Sequence, residues 1–241
     1  MSAFSVDDEL WEVYHPAPRP PGQVERLVLP VDKPHGWSSF KVIRRLRHIL
    51  GIRKVGHAGT LDPMATGLLI CLVSRATKMM ERFMELPKEY TGVIRLGEET
   101  ASFDAETDVT TRHSVDHVTA ETLEDARFRF LGDIEQLPPM YSAVKIGGER
   151  LYKKARRGEE IERKARRVRI DEFSLLDVEI PEVAFRVRCS KGTYIRSLAH
   201  DFGQATGAGG HLSALRRTAI GPFRVEDAWS IDALERAMSD R

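Results

Sequence analysis

The chain has 241 residues, 41% of them hydrophobic and 30% charged, with a formal net charge of +1. That length suits one large domain or two small ones, and the composition is that of a globular chain able to bury a core. The longest uninterrupted apolar run, residues 68–73, is far shorter than the ~20 residues a membrane-spanning helix needs, and the N-terminus lacks a basic-then-apolar signal pattern, so a cytoplasmic protein is expected.

In chain order, residues 1–24 read as an extended lead-in, because Pro16, Pro18, Pro20 and Pro21 preclude regular structure. Residues 26–32 read as a short strand that ends at Lys33-Pro34-His35-Gly36. Ser38 or Ser39 can N-cap a helix running to Leu50, with Gly51 as its C-cap. Val42, Ile43, Leu46, Ile49 and Leu50 form its apolar stripe. Lys41, Arg44, Arg45, Arg47 and His48 fall mainly on the other face, which is either solvated or laid on a phosphate backbone.

Residues 56–67 follow, Gly-His-Ala-Gly-Thr-Leu-Asp-Pro-Met-Ala-Thr-Gly. Glycine admits positive φ and lets a ligand approach the backbone. Pro63 steers Asp62 away from the helical region, which leaves the carboxylate on a stiff turn. Such a loop is an ordinary Gly-rich turn or a catalytic one. It is not a phosphate cradle, since no Gly-Lys-Ser/Thr ending and no GxGxxG is present. A buried strand over residues 68–73, a short helix over 76–84 and a strand over 88–96 come next. Tyr90 on the last of these suits either a core aromatic or a stacking platform for a base.

Residues 102–108 form an acidic loop without the spacing of a calcium hand. Thr119 caps a helix to Leu131, stopped by Gly132. Beyond Pro138-Pro139, a Gly147-Gly148 turn leads into a basic helix over residues 151–157, and residues 138–168 read as a protruding basic arm. A strand is expected over 168–178 and a half-buried antiparallel strand over 183–189, where Val183, Phe185, Val187 and Cys189 alternate with Arg186 and Arg188. Lys191-Gly192-Thr193-Tyr194-Ile195-Arg196 turns into a helix to Phe202, a strand follows at 211–217, and Ser230 caps a last helix. Cys71 and Cys189 lie in apolar strands and read as packed thiols. Strands and helices mix without strict βαβ alternation, so the fold class is α+β, a largely antiparallel mixed sheet flanked by helices.

The near-neutral total conceals segregated charge. Residues 33–57 carry seven Lys/Arg and no acid, and residues 147–169 carry ten against four Glu. Basic zones beside Gly-rich loops are the electrostatic footprint of a nucleic-acid partner; solvated helix faces are the alternative.

Five strings stand in one order: Lys33-Pro34, the loop Gly56-His57-Ala58-Gly59-Thr60-Leu61-Asp62-Pro63, Lys88-Glu89-Tyr90, Met140-Tyr141-Ser142-Ala143-Val144-Lys145, and Lys191-Gly192-Thr193-Tyr194-Ile195-Arg196. Together they resemble the bacterial tRNA pseudouridine-55 synthase family over residues 27–223. The resemblance implies a pseudouridine-synthase catalytic domain over residues 25–241 that isomerises a T-loop uridine of tRNA, breaking a C–N glycosidic bond and making a C–C bond. It implies no cofactor and no metal, since the uracil is detached, turned and rejoined. No protein partner and no membrane is implied, and a monomer is expected.

Residue by residue, the resemblance makes Asp62 the catalytic carboxylate, acting by covalent attack or by abstraction of a sugar proton. Arg196 matches the arginine that pairs with it; an opposite charge within ~4–6 Å lowers a carboxylate pKa. Tyr90 matches the tyrosine stacked on the target base, Tyr194 a second pocket tyrosine, and Leu215 an apolar wall. His57 matches the histidine that enters the RNA loop where bases have been expelled. Lys33, Gly59 and Thr60 support the active-site loop. Lys41, Arg44, Arg45, Lys153, Lys154, Arg156 and Arg157 are expected to contact RNA phosphates. Many relatives continue into a small RNA-binding domain of the PUA type, which is not expected here. A relative acting on another RNA uridine shares this loop. A non-catalytic RNA-binding module has no need of the carboxylate.

Overall fold

The computed structural model describes residues 26–142, 145–146, 148–151, 154, 157, 159 and 161–239. The expected Pro-rich lead-in and most of the expected basic helix lie outside them. In chain order the elements are β1 (Arg26–Lys33), α1 (Ser39–Leu50), β2 (Val55–His57), β3 (Thr66–Ser74), α2 (Met80–Glu85), β4 (Lys88–Leu96), β5 (Glu98–Thr100), β6 (Val109–Arg112) and α3 (Ala120–Phe128). They continue with β7 (Gly132–Gln136), β8 (Lys145–Ile146), β9 (Glu149–Arg150), β10 (Arg166–Glu179), β11 (Glu182–Cys189), α4 (Ile195–Ala205), β12 (Gly210–Ile220), β13 (Phe223–Arg224) and α5 (Ile231–Ser239). The class is α+β, as expected. The chain divides into two compact units, Met1–Tyr90 with Leu215–Arg241, and Thr91–Ala214; β4 and β12 each begin in one and end in the other.

In the first unit β3 lies between β1 and β12, with β2 also on β3 and β13 on β12. β1 runs antiparallel to β3, with Leu29 opposite Cys71, whereas β12 runs parallel to it, with Arg216 opposite Thr66 and Arg217 opposite Gly67. The continuous apolar run of β3 follows from burial on both faces. Leu69, Cys71 and Val73 join Leu27, Leu29 and Val31 of β1 under α1 and α5. Leu68, Ile70 and Leu72 pack with Val28, Phe83, Ile220 and Phe223 on the other side. α1 forms as its sequence dictates: Ser38 caps Lys41 N at 3.1 Å, Gly51 closes the helix at φ +66°, and Val42, Ile43, Leu46 and Leu50 are buried. The helix expected over 76–84 opens instead as a 3₁₀ turn, Arg75–Met79, before α2.

In the second unit the strand order is β4, β11, β10, β7, and β11 buries Val183, Phe185, Val187 and Cys189 while Arg186 and Arg188 face out, as the alternation requires. Phe173, Phe185 and Phe202 meet edge-on beneath α4. α4 passes Phe202 to reach Ala205. α3 stops three residues short of the expected Leu131, at Phe128. Its last carbonyls are taken up by a tightened turn, in which Phe130 N donates to Arg127 O and Leu131 N to Phe128 O, before Gly132 at φ +84° opens β7. β7 was not expected: Gly-Asp-Ile-Glu-Gln holds one apolar residue, enough only for an edge strand along Arg166–Ile170 of β10. β8 and β9 make a hairpin turning at Gly148, φ +82°.

Candidate active site

Between β2 and β3 the chain forgoes regular pairing, and the loop of residues 56–67 alternates anchors with chemistry. Ala58, Leu61, Met64 and Ala65 are buried, while His57 and Asp62 are half-buried and Thr60 is exposed. Its backbone groups find partners almost one by one, as buried polar groups must. Ala58 N donates to Ile70 O at 2.9 Å, Ala65 N to Asp62 O at 3.1 Å, and Gly36 N to Pro63 O at 2.8 Å. Lys33, fully buried, sends its ammonium to Trp37 O (2.6 Å), Pro34 O (3.1 Å) and Pro63 O (3.3 Å). Lys33 is thus a buried charge held by carbonyls, one of them next to Asp62.

Two supporting residues were not anticipated. Ser39 Oγ accepts from Leu61 N at 2.8 Å and donates to Leu61 O at 3.0 Å. Arg217 is almost fully buried and donates to Leu68 O at 2.7 Å and Gly59 O at 3.1 Å. The sequence carries a faint signal for the second: Arg216-Arg217 interrupts an apolar strand, and one of any two adjacent strand residues must point inward. Arg216 is the outward one, clasping Asp32 at 3.0 and 2.7 Å.

The loop also sets the state of His57. Burial lowers its pKa from the ordinary 6.5, the Arg217 charge lowers it further, and a hydrogen bond with the Gly59 backbone opposes both. His57 is thus neutral at pH 7. Since the unfolded chain takes the proton first, the stability from neutral His57 is fully present above about pH 6.5 and is lost as pH falls below it. Urea titrations from pH 7.5 to 5 are expected to show a steeper loss of stability for the wild type than for His57→Gln; parallel curves would contradict this.

Tyr90 (on β4) and Leu215 (on β12) are buried in the same unit as Asp62, each to within a tenth of its surface. Tyr194 and Arg196 belong to the second unit. There Gln136, buried at the end of β7, clasps the Tyr194 peptide: its Nε2 donates to Tyr194 O (2.9 Å) and its Oε1 accepts from Tyr194 N (2.7 Å). The Arg166 guanidinium lies 5.1 Å from the Tyr194 ring centroid. Arg196, the second residue of α4, is buried; it donates to Ser102 O at 3.1 Å and Tyr141 O at 2.7 Å. Its Nη1 also lies 3.4 Å from Oδ2 of the fully buried Asp104. Asp104 is held in turn by the Ser102 hydroxyl and by Glu106 N at 3.0 Å. The acidic loop of residues 102–108 thus also forms a socket for a buried arginine, and an acid in a polar stretch gave no local sign of it.

Of the expected phosphate contacts, Arg44 is exposed and Lys41 sits 4.1 Å from the Trp37 ring centroid. Arg45 bonds Glu235 at 2.5 Å, and Arg157 bonds Glu149 and Glu159 at 2.8 and 2.7 Å, so each would meet RNA in competition with a carboxylate. Lys154 is half-buried; Lys153 and Arg156 lie outside the described residues.

A family model described as TruB family pseudouridylate synthase, N-terminal domain, matches residues 47–195, and one described as the tRNA pseudouridylate synthase B C-terminal domain matches residues 196–240. The chain belongs to the TruB family. Among its curated relatives, a protein of Phocaeicola vulgatus named tRNA pseudouridine synthase B is 48% identical over 215 residues, 87% of this chain and 92% of the relative. One of Opitutus terrae with the same name is 49% identical over 208 residues, 86% of each chain. Among solved structures, a Cbf5-Nop10-Gar1 complex matches with a TM-score of 0.67 at 30% identity over 88% of this chain. That match spans 58% of the other chain. The TruB N-terminal model contains both Asp62 and Tyr194, and Arg196 opens the segment matched by the C-terminal one.

Proposed function

We propose that this TruB-family protein isomerises the T-loop uridine of tRNA, position 55, to pseudouridine, with Asp62 as its catalytic carboxylate. The observation that carries the reading is the Asp62 loop, a half-buried acid whose neighbouring peptides are bonded at Gly59, Leu61 and Pro63 by buried side chains. Such anchoring is what catalysis by position requires. The reaction is an isomerisation: the C1′–N1 bond of the nucleotide breaks, the uracil turns, and C1′ bonds to C5, whose proton passes to solvent while N1 gains one. Asp62 serves it as an ionised group, whether it attacks the nucleoside or removes a sugar proton. Arg196 is read as the cation that favours that ionised form, and its carbonyl and Asp104 partners suit a guanidinium held in one orientation.

The uridine must leave its stack before it can react, at a cost of a few kcal/mol. Stacking on Tyr90 returns ~1–3 kcal/mol, Leu215 walls the pocket, Tyr194 contacts the base, and neutral His57 enters the RNA where the bases have left. The basic faces then hold phosphates and the shape of the T-arm is what is recognised. In this reading the enzyme works as a monomer in the cytoplasm, without cofactor or metal; no helix among the described residues is long and apolar enough to cross a membrane.

The deciding experiment is incubation with an unmodified tRNA transcript followed by mapping of pseudouridine to the nucleotide. Modification at position 55 is expected, and modification elsewhere alone would change the substrate. Tyr90 gives a finer test. Tyr90→Phe keeps the π-face and is expected to hold tRNA affinity within about twofold, whereas Tyr90→Leu loses about tenfold, the equivalent of ~1.4 kcal/mol of stacking. Equal affinities and rates for the two would make Tyr90 a packing residue.

A further inference from the structure

We propose that Ser39 and Arg217 are positioning residues for the reaction, fixing the peptides on the approach to Asp62 so that its carboxylate meets the nucleotide in one geometry. The inference rests on reading Asp62 as the catalytic group. Three elements send a buried polar side chain into the loop: β1 through Lys33, α1 through Ser39, and β12 through Arg217. Lys33 holds the carbonyl that follows Asp62. Ser39 and Arg217 hold what precedes it.

Ser39 is 2% exposed and is the first residue of α1, behind the Ser38 cap. With one hydroxyl it engages both the N–H and the C=O of Leu61, so the residue bonded to Asp62 is tied to a rigid helix. The helix cap is supplied by Ser38, which leaves the Ser39 hydroxyl to the loop. Arg217 bridges the loop's two ends, Gly59 near its start and Leu68 just past its close. The parallel pairing of Arg217 with Gly67 brings its backbone against the same closure. A fork with two fixed donors spans two carbonyls, whereas an ammonium is a point charge. Misplacement of a reacting group by about 1 Å can cost about a hundredfold in rate, and that is the effect such ties prevent.

The test compares single-turnover pseudouridine formation at saturating tRNA, tRNA affinity and urea stability for Ser39→Ala, Ser39→Thr, Arg217→Lys and Leu234→Ala. Leu234, fully buried within the core beneath α5, is the control for lost stability alone. Ser39→Ala is expected to lower the rate about 10- to 100-fold with tRNA affinity within about twofold of wild type. Ser39→Thr recovers part of the rate, Arg217→Lys loses it as Ser39→Ala does, and Leu234→Ala keeps it while losing at least as much stability. A rate for Ser39→Ala within twofold of wild type, or a loss matched by Leu234→Ala, overturns the inference. If Ser39→Ala fails to fold, Arg217→Lys decides on the same readings. Asp62→Asn run alongside separates the two ideas: an inactive Asp62→Asn beside a fully active Ser39→Ala removes only the positioning role, and an active Asp62→Asn removes the catalytic reading and this inference with it.

Discussion

Asp62→Asn is expected to reduce pseudouridine formation by about 10⁴-fold or more, equivalent to ~5.4 kcal/mol of transition-state stabilisation, with fold and tRNA affinity retained. The change is nearly isosteric. It leaves in place the ties of the loop that run through backbone groups of Gly59, Leu61, Asp62 and Pro63. What it removes is the charge, which both forms of the proposed chemistry require. The checks are single-turnover mapping of pseudouridine, a binding isotherm on unmodified tRNA and a urea titration. A rate above a hundredth of wild type would end the catalytic assignment. A rate loss accompanied by an equal loss of affinity would instead make Asp62 a binding group.

How much of this was legible in the sequence depended on whether the determinant was local. α1 could be read because a cap, a stripe and a left-handed glycine all lie within its own residues. β11 could be read because strict alternation has one structural meaning. The chemistry of the Asp62 loop was legible because Gly, His, Asp and Pro crowd twelve consecutive positions. Two of its supports were not. Ser39 is 22 residues from Leu61 and Arg217 is 158 from Gly59, and nothing in Ser38-Ser39 says which hydroxyl caps the helix and which crosses to the loop. Asp104 was hidden in the same way, an acid among acids until the fold sets it 3.4 Å from Arg196. β7 escaped because an edge strand needs little apolar surface. The ion pairs of Arg45 and Arg157 escaped because a run of basic residues does not disclose which of them have acids waiting on other elements.

Gly67→Ala is expected to cost the largest loss of stability, ~3–5 kcal/mol, a large fraction of the 5–15 kcal/mol that holds an ordinary domain folded. Two effects combine at this residue. Its φ of +101° lies where an L side chain is strained. A Cβ there would also sit 2.3 Å from Arg217 O and 2.7 Å from Arg217 N. These are backbone atoms of a strand, so no rotamer change relieves the contact, and relief requires β12 and β3 to part where they pair in parallel. Gly36→Ala separates the two effects, since Gly36 also has a positive φ, +74°, but no atom within 4 Å of its added Cβ. That variant should lose only ~1–2 kcal/mol, the backbone share. Urea midpoints for the two variants and the wild type are the measurement. Equal losses would mean that backbone conformation alone requires glycine at position 67; the expected excess for Gly67→Ala would mean that the close of the Asp62 loop is set by direct approach of β12.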